Sequence, residues 1–249
     1  MDIIEIVNLS HRFSNGTLGL DNINLSIRKG SFVVIGGLNG SRKTTLLKHL
    51  NGLLLPDTGM VRLDGVPVSE NLMRARQMVG MVFQDADSQI VGETVYDDVA
   101  FGPENLCLSR SEIKKRVSGA LKAVSLTGFA DQRPHLLSGG EKRRLAVAGV
   151  LAMEPKVLVF DEPFSNLDYP GIQQVMEQIL SLHQSGNTIL IATHDLEDVI
   201  LHADRLVIMK GGKVVKAGSP ADLLDDLKPF GMRAPRAVQN GMETQSWLS

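Results

Sequence analysis

The hydrophobic positions of this chain form short apolar runs that alternate with segments of helical periodicity. Three runs are almost entirely apolar, as expected for strands buried on both faces: SFVVIG (31–36), VLVFDE (157–162) and TILIATHD (188–195). Helical spacing follows each run, beginning at Thr44, Gly171 and Leu196. Apolar strands that alternate with helices predict an α/β fold with a mostly parallel sheet covered on both faces.

The N-terminal part of the chain departs from this alternation. IIEIVNL (3–9) and INLSI (23–27) flank an Asn15-Gly16 turn signal and predict a small antiparallel β-layer. GMVRLDG (59–65) and MVGMVFQ (78–84) have the pattern of two further strands. We therefore expect a second, smaller sheet beside the parallel one.

The middle of the chain is helical and the end is irregular. SEIKKRVSGALKAV (111–124) and GGEKRRLAVAGVLAM (139–153) have helical spacing, which predicts an inserted helical subdomain at about 85–150. Residues 204–218 predict a hairpin, and residues 219–227 a last helix. We expect one domain at 1–228 and a poorly ordered tail at 229–249, where the periodicity is weak.

Composition narrows the class of protein. The chain has 249 residues, 43% hydrophobic and 22% charged, which is ordinary for a globular protein. The net charge of −2 gives no basic excess, so we expect no nucleic-acid partner. The run Lys142-Arg143-Arg144 is interpreted as a solvated helix face. No signal peptide and no apolar run of about 18 residues is present, so work at a membrane would require a partner.

The segment GGLNGSRKTT (36–45) matches the phosphate-binding pattern G-x-x-x-x-G-K-[ST] except at one position. Arg42 stands where the second glycine is expected. A Cβ at this position risks a clash or a strained φ, and we expect that effect to outweigh the attraction of an arginine for phosphate. The segment lies between a strand and a helix, so its backbone N–H groups are expected to bind phosphates. The predicted nucleotide-binding residues are Gly37, Leu38, Asn39, Gly40, Ser41, Arg42, Lys43, Thr44 and Thr45.

Within this loop, Lys43 is expected to contact the β- and γ-phosphates and Thr44 to bind Mg²⁺. Other polar residues stand at the ends of predicted strands. Asp161 and Glu162 end a buried strand, where an α/β sheet places its chemistry, and predict a Mg²⁺ ligand and a general base. Taken alone, the pair is explained equally well by an ordinary strand that ends in two acidic residues. Gln84 and His194 also close strands; each alone reads as a loop residue, and together they indicate catalytic residues.

The segment LLSGGEKRR (136–144) contains a candidate anion site. Gly139 and Gly140 at a predicted helix start expose backbone N–H groups, and Ser138 adds a hydroxyl. An ordinary Ser-Gly turn with an N-cap is the alternative interpretation.

In this order the segments resemble the ATP-binding-cassette ATPases over about residues 3–225. The quoted motifs are the loop at 37–45, Gln84, the signature Leu137–Glu141, the strand Val157–Asp161 followed by Glu162, the segment Ser165–Asp168, and His194. The resemblance implies an α/β P-loop NTPase core with a mostly parallel sheet, an antiparallel β-subdomain and a helical signature subdomain. It implies ATP and Mg²⁺ as cofactors, with Mg²⁺ held by Thr44, Gln84 and Asp161. It also implies that Phe13 stacks on adenine, for which a core phenylalanine is the alternative.

The segment from Gln89 to Leu108 further resembles the A component of energy-coupling-factor transporters, similar to the ATPases of cobalt and nickel uptake, with Cys107 where glycine is common. This resemblance implies a peripheral ATPase at the cytoplasmic face of the cell membrane that powers import of a metal ion or vitamin through a transmembrane partner. It implies a head-to-tail homo- or heterodimer of cassettes, with ATP between the loop of one and Ser138–Gly140 of the other. The alternatives are a non-catalytic cassette, indicated by Arg42, and a soluble ABC ATPase outside transport.

Overall fold

The computed structural model describes residues 1–235 and confirms the α/β class. The strands are β1 (Asp2–Arg12), β2 (Leu18–Arg28), β3 (Phe32–Gly36), β4 (Thr58–Leu63), β5 (Val66–Pro67), β6 (Val79–Val82), β7 (Val157–Asp161), β8 (Thr188–Thr193), β9 (Arg205–Lys210) and β10 (Lys213–Gly218). The helices are α1 (Lys43–Leu50), α2 (Leu72–Met78), α3 (Val95–Asn105), α4 (Arg110–Ala123), α5 (Gly139–Leu151), α6 (Tyr169–Gln184) and α7 (Pro220–Leu223).

The larger sheet has six strands in the order β10-β9-β3-β8-β7-β6. All neighbouring pairs are parallel except β9 and β10, which form the predicted hairpin. Strand β3 shows why these runs are continuously apolar: Phe32 and Val34 face the core with the helices, and Val33 and Ile35 face the core shared with the smaller sheet. The β3 side chains are therefore buried on both faces.

The smaller sheet is antiparallel, as predicted, with the order β2-β1-β4-β5. Its apolar face, which includes Ile4, Ile6 and Leu25, packs with α1 residues such as Leu46 in one core. This layer covers one face of the six-stranded sheet and places the loop between β1 and β2 beside the start of α1.

The helices α3, α4 and α5 pack on one another and form the helical part of the chain. Helix α3 lies within the helical subdomain predicted at about 85–150, but its bounds were not predicted, and Gly102 and Pro103 inside it are helix-breaking signals. The helix begins at a capping box in which Thr94 and Asp97 bond each other's backbone N–H. A Cβ at Gly102 would lie 2.4 Å from Met153 Sδ, so this glycine permits α3 to pack closely against Met153, just beyond the end of α5. Helix α2 was missed.

The helix predicted at 196–203 is wrong. Leu196, Val199 and Ile200, which produced its pattern, are buried as expected. One short 3-10 turn at Ile200–His202 is enough to bury them, and the N–H of Asp204 then bonds Phe32 O as the chain enters β9. Tertiary pairing with β3 therefore ends the helical pattern early.

The segment 229–249, predicted as a poorly ordered tail, is described as far as residue 235. Met232 in this segment is buried in the core against Gly36, and the Lys210 ammonium donates to Pro229 O over 3.1 Å. Residues 236–249 lie outside the described part of the chain. Within 1–235, no helix has the length and apolar character needed to cross a membrane.

Candidate functional site

Three neighbouring parallel strands end at one edge of the larger sheet. In the register, Gly36 of β3 lies beside Thr193 of β8, and Ala192 of β8 lies beside Asp161 of β7. The residues that follow these strands are Gly37, Glu162 and His194, so the sheet itself brings the glycine loop, the acidic pair and the histidine together. The N–H of Glu162 continues the pairing and donates to Ala192 O over 2.8 Å.

The loop from Gly37 to Thr45 closes around a lysine. The Lys43 ammonium donates to Gly37 O over 2.7 Å. A Cβ at Gly37 would lie 2.5 Å from Met209 O and 2.6 Å from Ser41 Oγ, so only glycine fits there. The buried Ser41 hydroxyl has no hydrogen-bond partner. This loop and the uncapped N-terminus of α1 therefore offer donors that protein groups leave unused, as a phosphate site requires.

Arg42 adopts the strained conformation that was expected for a side chain at this position. Its φ is 79° and its ψ is 25°, a left-handed conformation that glycine adopts at little cost. Its side chain is half-buried and does not cap α1. Instead, its Cζ lies 5.0 Å from the centroid of the Phe13 ring, which is a cation–π contact.

A buried ion pair links the loop to the end of β7. Lys43 Nζ lies 3.3 Å from Glu162 Oε1, and the two side chains are 6% and 9% exposed. On the other oxygen, Glu162 Oε2 accepts from His194 Nδ1 over 2.9 Å. Glu162 itself has a φ of 48°. The carboxylate is thus held between a lysine and a histidine, and its Oε1 has a charge partner but no aligned hydrogen bond.

A second pair, Thr44 and Asp161, lies beside the first. The Thr44 hydroxyl donates to Asp161 Oδ2 over 2.6 Å, whereas the buried Asp161 Oδ1 has no hydrogen-bond partner. Burial raises the pKa of Asp161, the charge of Glu162 adds to that rise, and the Thr44 hydroxyl opposes it. An unpaired, desolvated carboxylate oxygen next to a hydroxyl is a donor set that suits Mg²⁺. These residues fit the predicted metal.

Five other predicted residues lie outside this cluster of side chains. Gln84 lies two residues beyond β6 and is exposed, and within the described contacts its side chain bonds neither Thr44 nor Asp161. Thr45 is buried, and its carbonyl oxygen lies 2.8 Å from His49 Nδ1, within hydrogen-bond distance. Leu38, Asn39 and Gly40 are exposed at the tip of the loop.

The predicted anion site at Ser138–Gly140 is the N-terminus of α5. It is a capping box: Ser138 Oγ accepts from the Glu141 N–H, and Glu141 Oε2 accepts from the Ser138 N–H over 2.7 Å. A Cβ at Gly139 or Gly140 would meet no atom within 4 Å, so the N-terminus is open. The adjoining cleft is lined by residues 166–168 and by α6, and no described residue of the 37–45 loop lines it.

The structure corrects the interpretation of Arg143 as part of a solvated helix face. Arg143 is 5% exposed, and its guanidinium donates to Phe83 O over 2.9 Å and to Ser165 O over 3.3 Å. It therefore joins α5 to the segments after β6 and β7. The helical spacing of the sequence indicates this burial, because Arg143 lies on the same face of α5 as the buried residues Ala146, Val147 and Val150.

A glycine loop before α1, an acidic pair at the end of β7 and a serine-capped α5 that begins with two glycines define an ATP-binding cassette. The ABC transporter family profile matches residues 20–165, and the chain belongs to that family. The energy-coupling factor transporter ATP-binding protein EcfA of Methanocaldococcus jannaschii is 43% identical over 244 residues, which is 96% of this chain and 88% of the relative. EcfA of Methanosarcina acetivorans is 43% identical over 241 residues, covering 95% of this chain and 88% of its own length.

A solved structure agrees with these sequence relatives. The protein cbiO1 from Clostridium perfringens, part of the ABC transporter complex cbiONQ, superimposes with a TM-score of 0.83 at 39% identity and covers 92% of both chains. The resemblance stated from the motifs is thereby confirmed.

Proposed function

We propose that this chain is the ATP-hydrolysing subunit of an energy-coupling-factor importer. It works at the cytoplasmic face of the cell membrane, where it powers uptake of a metal ion such as cobalt or nickel, or of a vitamin. The relatives named EcfA and the cbiONQ component support this class of transporter. The observation that carries hydrolysis is Glu162, buried between Lys43 and His194 beside the Thr44–Asp161 pair.

The residues of this cluster have separable roles. Lys43, the Ser41 hydroxyl and the N-terminus of α1 would bind the β- and γ-phosphates of ATP. Thr44 and Asp161, with Gln84, would hold Mg²⁺, which supplies charge neutralisation of the phosphates when bound. When Lys43 turns to the phosphates it releases Glu162 Oε1 to accept a proton from the attacking water. His194 keeps the carboxylate oriented through Oε2.

The open N-terminus of α5 supports a dimer of cassettes. Ser138, Gly139 and Gly140 face a cleft that the loop of the same chain does not line. A second cassette, identical or different, would bring its own bound triphosphate to these N–H groups. The site is then complete only when two subunits meet.

An apolar groove supports docking of a transmembrane partner. Val91 and Phe101 are 62% and 54% exposed, and they line a groove together with Met81 and Phe83. Asp98 accepts from the N–H of Val91 over 2.7 Å and so fixes the turn that presents this side chain. Exposed apolar side chains gathered in a groove favour a protein contact.

This docking is tested by copurification from membranes. Phe101→Glu should abolish recovery of the transmembrane partner with the tagged chain, because the charge must be desolvated in the contact. Val215→Glu is the matched control, since Val215 is an exposed apolar residue on β10 at the opposite edge of the sheet. Equal recovery of the partner with both variants would refute the groove as the docking site.

The second candidate function is a nucleotide-impaired cassette with a non-catalytic or regulatory role. The observation that favours it is the left-handed φ of Arg42. Equilibrium binding of Mg·ATP to the native chain and to Arg42→Gly separates the two candidates. Micromolar binding by the native chain, with hydrolysis that Glu162→Gln removes, supports the ATPase. Binding by Arg42→Gly alone supports the impaired cassette.

A further inference from the structure

Arg42 and Phe13 form a contact that bears on which part of a nucleotide this chain recognises. Phe13 lies one residue beyond β1, and its ring packs on the β-layer: a Cβ at Gly19 would lie 2.9 Å from Phe13 Cε2, and the His11 ring meets it edge-on at 5.3 Å. The Arg42 guanidinium lies over the ring at 5.0 Å. Among the described ring and cation–π contacts, this is the one that reaches the 37–45 loop.

The ring face under Arg42 is an aromatic surface in contact with the loop that carries the proposed phosphate site. Arg42 is next to Lys43 in the chain, so one arginine side chain spans the gap between the loop backbone and Phe13. A base attached through a ribose to phosphates on this loop has a similar gap to cross. Nucleobases stack on aromatic faces with little regard to their identity, which makes Phe13 the surface available for a base here.

We infer that Arg42 competes with the nucleobase for Phe13, so that this chain binds a nucleoside triphosphate through its phosphates and gains almost nothing from the base. The inference rests on the proposed function and deepens it. The guanidinium is tethered beside the ring, whereas a base must displace it to stack. Base stacking on an aromatic side chain raises affinity by about tenfold or more, and loss of the cation–π contact offsets much of that gain.

This effect is separate from the strain in the loop. A left-handed residue at position 42 alters the backbone that meets the phosphates, so it acts equally on any triphosphate. A guanidinium over Phe13 acts only on ligands that carry a base. Arg42→Ala removes the guanidinium but keeps the Cβ and its strain, whereas Arg42→Gly removes both. Inorganic tripolyphosphate is the probe that lacks a base.

The experiment measures dissociation constants of Mg·ATP and Mg·tripolyphosphate by calorimetry for the native full-length chain, Arg42→Ala and Arg42→Gly, each with and without Phe13→Leu. Leucine keeps an apolar side chain against Gly19 and His11 but removes the aromatic face. We expect Phe13→Leu to weaken ATP binding by about tenfold in both Arg42 variants and by less than twofold in the native chain. Tripolyphosphate affinity should not respond to Phe13→Leu in any background.

The outcomes separate the inference from the proposed function. An equal loss of ATP affinity on Phe13→Leu in all three backgrounds overturns the inference and leaves ATP binding intact. The same holds if Arg42→Ala raises the affinities for ATP and tripolyphosphate by the same factor. If no variant binds either triphosphate, the proposed function fails and the inference fails with it.

Discussion

The chain has two helix N-termini that we propose as anion sites, and their side chains are arranged in opposite ways. At the start of α1, the polar side chains already have protein partners: Lys43 holds Glu162, Thr44 holds Asp161, and Arg42 covers Phe13. At the start of α5, a capping box satisfies the side chains and leaves the glycines open. Binding at α1 is therefore an exchange of partners, whereas the end of α5 is ready without rearrangement.

The two helix starts also differ in backbone conformation. Left-handed non-glycine residues occur at the α1 site, at Arg42 and Glu162, whereas the start of α5 has an ordinary extended N-cap at Ser138. Strain of this kind persists where surrounding contacts hold it, which is common at functional sites. In the isolated chain, we expect substitutions at α1 to change ligand binding and substitutions at α5 to change mainly stability.

The largest effect is expected from Lys43→Ala. Removing the ammonium should weaken Mg·ATP binding by about 100-fold, because the phosphates lose a buried charged donor. The measurement is calorimetric titration in the Arg42→Gly background, where affinity is expected to be highest. Lys122→Ala, at an exposed position in the last turn of α4, is the control and should leave the affinity unchanged.

The same variant tests whether Glu162 depends on Lys43. Loss of Lys43 leaves the buried carboxylate with His194 alone, so the free energy of unfolding should fall. Adding Glu162→Gln to Lys43→Ala should recover most of that loss in chemical denaturation. A double variant less stable than Lys43→Ala would contradict the exchange of partners at α1.

Arg143→Ala should lower the free energy of unfolding by about 2–4 kcal/mol, because two partly buried carbonyl groups lose a charged donor that is itself buried. The neighbouring Arg144→Ala is the matched control, since Arg144 is only half-buried and bonds Gln174 on the surface of α6. Urea denaturation of both variants gives the comparison. Equal losses would show that Arg143 stabilises no more than an ordinary helix arginine.

Ser138→Ala should cost about 1 kcal/mol of stability through loss of the cap on α5, with little change in the affinity of the isolated chain for ATP. Ser118→Ala, at an exposed position inside α4, is the control.

The capping box also has an acid dependence. The backbone N–H and hydroxyl of Ser138 hold the pKa of Glu141 below its usual value. The stabilisation is therefore present above the unfolded pKa and is lost as pH falls through the lower folded pKa. Stability that stays level across this acid range relative to Glu141→Gln would argue against the box.

The smallest expected effect is the difference in the free energy of unfolding between Arg42→Ala and Arg42→Gly. Both variants lose the contact with Phe13, so their difference reports the strain of the left-handed φ, reduced by the extra freedom that glycine gives the unfolded chain. Glycine should be the more stable by about 0.5–1 kcal/mol, measured as a difference between unfolding curves. If alanine is more stable than glycine by about 0.4–1 kcal/mol, as at an unstrained site, position 42 carries no strain and the contrast between the two helix ends disappears.

Local patterns were sufficient for the elements that are continuous in sequence. The apolar runs at β3, β7 and β8 and the capping serine before α5 were recognised because their signals lie within a few residues. The bounds of α3 within the predicted helical subdomain were not predicted, and a helix at 196–203 was wrongly predicted, because in each case a tertiary contact outweighs the local signal. Gly102 meets Met153, and the 196–203 segment is ended by pairing with β3.

For the candidate site too, the sequence predicted the residues that local motifs identify, but not their partners in the fold. The order of the motifs indicated the protein family and identified Lys43, Asp161, Glu162 and His194 as candidate site residues. Residue types at fixed spacings are sufficient for this, since they determine which chemistry is available. Only the fold determined that Lys43 lies against Glu162, that Arg143 is buried, and that Arg42 covers Phe13. These partners are separated by tens of residues or more, and a side chain's choice among partners depends on the three-dimensional arrangement of strands rather than on local spacing.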